Sequence, residues 1–254
     1  MKREAYQQYA DESESWLKRA RRELLGWLVG EFAPRRDNLC LLELGAGVGQ
    51  NIPVLARHGT VDAAEIEPIG LEILRRRTDI RRLYVKPIPF ELEKHYDVIC
   101  AMDVIEHLAD DRGALRWIFD SLSEGGLFVA TVPAYPWLFS DHDRALGHYR
   151  RYTRASFDAV MPEGFQSVVA CYFNSALLPV AVLSRLIWSL RRRDDAPLRK
   201  QSAPSKGWLD SALHKVLTAE RKFISRGMRP CFGLSVVSAS LKCAPSKRLI
   251  HGDR

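Results

Sequence analysis

Apolar residues recur along this chain in two rhythms, and the switches between them mark its elements. From Asp11 to Phe32, Trp16, Leu17, Ala20, Leu24, Trp27 and Leu28 fall at helical spacing, which predicts a long amphipathic helix. The apolar positions that follow are contiguous instead. Leu39-Cys40-Leu41-Leu42 is a short run of the kind buried on both faces of a parallel sheet, and Ile52-Pro53-Val54-Leu55-Ala56 can begin a helix behind it. Thr60 to Ala64, Tyr96 to Met102 and Leu127 to Pro133 repeat the strand pattern, with a third strand ending near Tyr84. Phe165 to Phe173 reads as strand six and Gly233 to Leu241 as strand seven. Strands alternating with helical stretches predict an α/β fold on a parallel sheet. No internal repeat interrupts this order.

Between strands six and seven lies an insertion, residues 174–228, that differs from the rest. It opens with an apolar stretch, Ala176 to Leu190, broken by Pro179 and Arg185 and followed at once by Arg191-Arg192-Arg193. That stretch is too short and too interrupted to span a bilayer, so two readings stay open: a helix buried against the sheet, or a helix at a membrane interface or amphiphilic substrate. Arg191 to Gly207 has the Arg, Asp, Pro and Ser content of a linker. Charge separates the same regions. Residues 1–184 carry 22 Lys/Arg against 26 Asp/Glu, residues 185–254 carry 16 against 5, and the whole chain is +7. The basicity thus belongs to the C-terminal part. The 254 residues, 46% of them hydrophobic, suffice for a large core and exclude a mainly disordered chain. Five dispersed cysteines without a C-x-x-C pair fit reduced thiols, and Met1 to Tyr6 leads into no apolar signal core, so the expected location is cytoplasmic.

The candidate chemistry starts at Glu43-Leu44-Gly45-Ala46-Gly47-Val48-Gly49-Gln50-Asn51, a strand-to-helix turn with three alternating glycines. A Cβ at Gly45 or Gly47 would obstruct close approach of a ligand to backbone. The spacing is G-x-G-x-G rather than the G-x-G-x-x-G of dinucleotide sites, with Gln at position 50, which favours a nucleoside without a pyrophosphate. About 20 residues on, where a second-strand acid binds ribose hydroxyls, stand Glu65-Ile66-Glu67-Pro68. Both acids fit. Glu67 could instead be a helix N-terminal charge.

These segments, with Tyr96-Asp97-Val98-Ile99-Cys100-Ala101-Met102-Asp103-Val104-Ile105-Glu106-His107-Leu108 and Leu122-Ser123-Glu124-Gly125-Gly126-Leu127 to Pro133, resemble class I S-adenosylmethionine-dependent methyltransferases. The likeness is strong over about residues 38–135 and greatest to the small-molecule and quinone-biosynthesis type. It implies a doubly wound, Rossmann-like sheet of seven strands whose last strand is antiparallel. It divides the chain into an N-terminal helical cap (1–37), a methyltransferase core (38–173), a helical, basic lid (174–228) and a last core strand with a basic tail (229–254). It implies S-adenosylmethionine held by Glu43, Gly45, Ala46, Gly47, Glu65, Ile66, Asp103 and Val104, with Glu65 preferred over Glu67 because Pro68 follows it by three. Trp16 and Arg19 to Arg22 resemble a W-x-x-x-R-R segment ahead of the glycine turn. One departure stands out: Tyr84 to Phe90 lacks the usual acid for the adenine amine.

Methyl transfer to a hydroxyl requires a base, whereas a carboxylate acceptor needs none. The candidates are His142 and His148 in the polar, aromatic stretch Ser140 to Tyr152, and His107. His142, which follows strand five, is the first expectation. Asp103, Glu106 and His107 fall at i, i+3 and i+4, a spacing that would place three ligands on one helix face, and some methyltransferases with a similar element use a divalent ion; no metal is assigned here. The expected acceptor is small or lipid-like, methylated on oxygen, with peripheral contact to an anionic membrane. Two alternatives remain: an RNA methyltransferase using the basic C-terminal region, and a noncatalytic module that binds the nucleoside. Against nucleic acid, Asp103-Val104-Ile105-Glu106 is not the Pro-Pro-aromatic element of exocyclic-amine enzymes, and no Pro-Cys nucleophile lies near strand four.

Overall fold

The computed structural model describes residues 15–180, 182–183 and 207–243. Its strands are β1 (Leu39–Leu44), β2 (Gly59–Ala64), β3 (Arg82–Tyr84), β4 (Tyr96–Met102), β5 (Leu122–Pro133), β6 (Phe165–Phe173) and β7 (Ser235–Lys242). They form one sheet in the order β3-β2-β1-β4-β5-β7-β6. β1 to β5 run parallel, while β7 pairs antiparallel with both β5 and β6. This is the doubly wound α/β sheet with an antiparallel last strand that the apolar pattern and the resemblance predict.

Strand side chains alternate between two cores, as a period of two requires. Leu41, Val98, Cys100, Leu127 and Val129 face one side. They pack there with Ala20, Leu24 and Leu28 of helix α1 (Trp16–Phe32) and with Leu217 and Ile224 of a second helix, Trp208–Ser225. Leu42, Leu44, Ile99 and Phe128 face the other side, against Leu115 and Ile118 of the helix Asp111–Ser121. Leu24 is fully buried, and truncating such a side chain to alanine costs about 2–5 kcal/mol through lost burial and the cavity left behind.

In chain order the helices after α1 that are described over their whole length are α2 (Ile52–Leu55), α3 (Pro68–Leu74), α4 (Asp111–Ser121), α5 (Asp141–Leu146), α6 (Arg154–Asp158) and α7 (Trp208–Ser225). α7 lies along α1. Asp210 accepts from the Trp16 backbone N–H at 3.2 Å and from Arg19 at 2.6 Å, and Thr218 Oγ1 donates to Glu23 at 3.0 Å. The starts of β5 and β7 differ from the sequence pattern. β5 starts at Leu122 rather than Leu127, because the register jumps from Tyr96↔Leu122 to Val98↔Leu127 and the Gly-Gly segment bulges out with Gly125 at φ 73°. β7 starts at Ser235 rather than Gly233. Residues 11–14 of the predicted first helix, 181 and 184–190 of the apolar stretch, the linker at 191–206 and the tail from 244 lie outside the described residues. No helix among the described residues is long and apolar enough to cross a membrane.

Candidate functional site

From β1 the sheet grows outward in both directions, to β2 on one side and to β4 on the other. In such sheets the crevice at the carboxyl ends of the strands where the order reverses is where ligands bind. The glycine turn leaves β1 at this point, with Gly45, Gly47 and Gly49 at φ 58°, 59° and 77°, a region that side chains other than glycine's rarely adopt. A Cβ on Gly45 would also stand 2.7 Å from Val104 Cγ2, so the turn and the segment after β4 approach as closely as glycine permits. Ala46 donates its N–H to Ala64 O at 3.0 Å, tying the turn to the end of β2.

Three acids converge on this crevice. Glu65, just beyond β2, accepts the Gly47 N–H on Oε2 at 2.6 Å and the Ile66 and Glu67 N–H groups on Oε1 at 2.7 and 2.8 Å. Glu43, at the end of β1, is 1% exposed. Its Oε1 accepts from Asn51 Nδ2 at 2.6 Å, while Oε2 is buried without a hydrogen-bond partner. Burial pushes the Glu43 carboxyl up to about 8, against the pull of the Asn51 hydrogen bond. Asp103 follows β4 in the left-handed region, at φ 57°. Its N–H donates to Thr131 O at 2.9 Å, one oxygen accepts from Thr131 Oγ1 at 3.1 Å, and the other pairs with Arg21 of α1. Arg21 also donates to Ser235 Oγ at 2.9 Å, so α1 is latched across the carboxyl end of β4 and the amino end of antiparallel β7. The partners Asn51, Thr131 and Arg21 each fall within a segment singled out in the sequence, but nothing in those segments marks them as partners of the acids.

Beside Asp103 a second polar cluster forms around a 3₁₀ turn, Ile105–His107. Glu106 is wholly buried with neither carboxylate oxygen hydrogen-bonded, and burial, reinforced by the nearby Asp103, raises its carboxyl well above the usual range. His107 and His148 meet edge to face at 4.5 Å. Burial, then the neighbouring His148, lowers His107 to about 4. His148 Nδ1 donates to Asp143 Oδ1 at 3.0 Å, and Asp143 also accepts from Arg151 Nε at 2.7 Å and from the Ser140 N–H and Oγ at 2.8 and 2.9 Å. Burial alone would raise the Asp143 carboxyl; these donors hold it well below the usual range. Glu106, His107 and His148 each present a ligand atom, and the three lie within 4.8 Å of one another. Spacing put Asp103 in that set, on one helix face. The left-handed turn at Asp103 aims its carboxylate at Arg21 and Thr131 instead, and His148, 41 residues along the chain, completes the group. His142 is half-buried on α5. At the same end of the sheet, Tyr135 at φ 62° stacks on Tyr172 at 5.2 Å and lies 5.5 Å from Trp137, which is 64% exposed, making an aromatic ledge beyond β5.

Known proteins resemble this chain in sequence and in fold. The ubiquinone biosynthesis O-methyltransferase of Ruegeria pomeroyi is 35% identical over 107 residues, 37% of this chain and 41% of the relative, so the likeness spans about two fifths of that protein's length. Among solved structures, one from the complex between the Haloferax volcanii Trm112 methyltransferase activator and a methyltransferase superposes with a TM-score of 0.57 at 15% identity, covering 95% of each chain. The N-methyltransferase NodS of Bradyrhizobium japonicum, in complex with S-adenosyl-L-homocysteine, superposes at 0.51 with 20% identity, covering 65% of this chain and 85% of its own. At these identities the structures speak for the fold alone. A family model described as a methyltransferase domain matches residues 16–170, from the start of α1 into β6. That stretch is more than half of the chain and holds the glycine turn, all three crevice acids and the histidine cluster, and the chain belongs to the methyltransferase domain family.

Proposed function

We propose that this chain transfers a methyl group from S-adenosylmethionine to an oxygen of a small or lipid-like acceptor. The observation that carries the reading is Glu43: a buried acid with one unpartnered oxygen, at the base of a turn held open by left-handed glycines, with Glu65 and Asp103 on either side. The residues fit the group. A cationic ammonium beside Glu43 supplies the missing partner and recovers the carboxylate form that burial disfavours. Glu65 has lone pairs left for ribose hydroxyls. Ala46, Ile66 and Val104 offer apolar contact, which suits a chain whose segment Tyr84 to Phe90 lacks the usual acid for the adenine amine.

When bound, the cofactor supplies a methyl carbon activated by a sulfonium. The chain's own work is alignment and exclusion of water. Asp103, locked by Thr131 and Arg21, fixes the floor of the crevice under α1. A hydroxyl acceptor must also lose a proton. The Asp143 carboxylate orients the His148 ring, which favours it as the base; His107, lowered to about 4, is a weak base, and half-buried His142 on the adjoining helix is the alternative. The ledge of Tyr135, Tyr172 and Trp137 suits a planar, apolar acceptor. The name of the Ruegeria pomeroyi relative supports O-methylation. On this reading residues 1–37 cap the site, 38–173 and the last strand form the core, and 174–228 serve as a lid, in a cytoplasmic protein touching the membrane at its periphery.

Calorimetry with S-adenosylmethionine and its demethylated product against NAD tests the cofactor; binding of NAD alone would sink the proposal. A labelled-methyl screen over lipid, phenol, carboxylate and RNA extracts then identifies the acceptor. A second reading rests on one observation, the unpartnered carboxylate of buried Glu106 beside His107 and His148. These three could hold a divalent cation, which would lower the pKa of an acceptor hydroxyl. Activity lost to a chelator and restored by a divalent ion would establish it, and indifference to chelator would leave His148 as the base.

A further inference from the structure

α7 has two unlike faces, and the outer one is exposed among the described residues. Leu213, Leu217 and Ile224 point inward to the core shared with α1. Leu209, Val216 and Phe223, seven residues apart, point outward with Trp208, and all four are exposed, Trp208 at 81%. At 3.6 residues per turn the outward positions cover an arc of roughly 140°. Apolar side chains occupy one edge, Trp208 and Ala219 the middle, and Lys215 and Lys222 the other edge, with Arg226 at the C-terminal cap. Met228 and Phe232 extend the exposed apolar surface, with Arg229 beside them.

The sorting of charge decides what this face meets. α7 contains two acids, and both are turned toward the protein: Asp210 is bound by Arg19 and the Trp16 backbone, Glu220 by the N–H and hydroxyl of Ser175. The outward arc therefore carries cations and no anion. A face that is apolar along one edge and exclusively basic along the other, with an exposed tryptophan between them, matches an anionic lipid surface, where apolar side chains enter the headgroup boundary and lysines meet the phosphates. A protein partner of the same charge would be repelled, and a neutral apolar partner would leave the lysines unused.

We propose that the outward face of α7, extended by Met228 and Phe232, docks this protein on anionic bilayers. The sequence places the expected membrane contact in the insertion at 174–228, and α7 lies within that insertion. The inference concerns binding alone and stands whether or not the acceptor is a lipid.

Vesicle co-sedimentation with the full chain tests it. Phosphatidylcholine vesicles should not bind, and vesicles with about a third phosphatidylglycerol should, less so at high salt as screening removes the basic contribution. Trp208→Ser with Phe223→Ser, and separately Lys215→Glu with Lys222→Glu, should each reduce binding at least about tenfold while S-adenosylmethionine binding and thermal unfolding stay as in wild type. Trp208→Phe should keep binding but lose most of the fluorescence quenching by brominated lipid. No binding at any composition, or binding that these outward substitutions leave intact, would overturn the proposal; intact vesicle binding abolished by substitutions at Leu186 to Trp188 would give the role to that segment instead.

Discussion

Replacing Glu43 with glutamine should stabilise the cofactor-free protein in a pH-dependent way. A carboxyl near 8 in the folded chain and 4.5 when unfolded makes the folded state the one that holds the proton. The stability this group contributes is therefore complete below about pH 4.5 and declines as pH rises toward 8. Above both values the difference amounts to about 5 kcal/mol, at 1.36 kcal/mol for each pH unit between the two. Glutamine keeps the shape and the acceptor for Asn51 and does not titrate. Thermal unfolding of both proteins from pH 4.5 to 8.5 isolates the effect, since Glu106 and the remaining groups titrate in each and cancel. At 2–4 °C per kcal/mol, Glu43→Gln should melt roughly 10–20 °C above wild type at pH 8.5, with the gap closing toward pH 4.5. S-adenosylmethionine should reverse the order by favouring the carboxylate. Its affinity for wild type should rise with pH up to about 8, with release of close to one proton at pH 7, visible in calorimetry across buffers of different ionisation enthalpy. Melting curves for the two proteins that run parallel with pH would refute the reasoning.

Other substitutions test the site piece by piece. Glu65→Ala and Gly47→Val should each weaken S-adenosylmethionine binding by at least about 1 kcal/mol in calorimetry, the scale of one well-made hydrogen bond. Gly45→Ala places a Cβ against Val104 at a left-handed φ, and should cost stability by about 1–2 kcal/mol in denaturant unfolding from backbone strain alone. His148→Ala should slow transfer to a hydroxyl acceptor by roughly 10²-fold with cofactor affinity nearly unchanged, and His142→Ala should do less; the reverse ranking in single-turnover assays would move the base to α5.

How much of this is legible in the sequence depends on the range of the interaction. β6 matches the pattern residue for residue at Phe165–Phe173, and β1, β2 and β4 agree to within two residues, because buried strands are written as continuous apolar runs. The glycine turn and the acids at 43, 65 and 103 are visible because their spacing is set by short connections. What joins them is not. Arg21 reaches Asp103 across 82 positions, and His148 joins Glu106 and His107 through a loop held by Asp143. Asp103 leaves the helix face that its spacing implied because one residue takes a positive φ, a choice no periodicity records. The amphipathic character of α7 is present in the letters, yet which acids face inward depends on Arg19 and Ser175, far along the chain.

The position of β7 has a consequence for the nascent chain. β7 sits between β5 and β6 and is, among the described residues, the only strand that pairs with β6, so β6 waits for a partner encoded about 60 residues later. At 5–20 residues per second that wait is roughly 3–12 s. Throughout it, β5 presents a bare edge of hydrogen-bonding groups beside Leu127, Val129 and Val132, a template for any passing strand. α1, made first, gains its Arg21 contact to Ser235 only when β7 arrives. Ribosome-bound chains arrested between residues 180 and 230 should therefore be the ones that recruit chaperones and aggregate on release, and emergence of β7 should end that exposure in a single step.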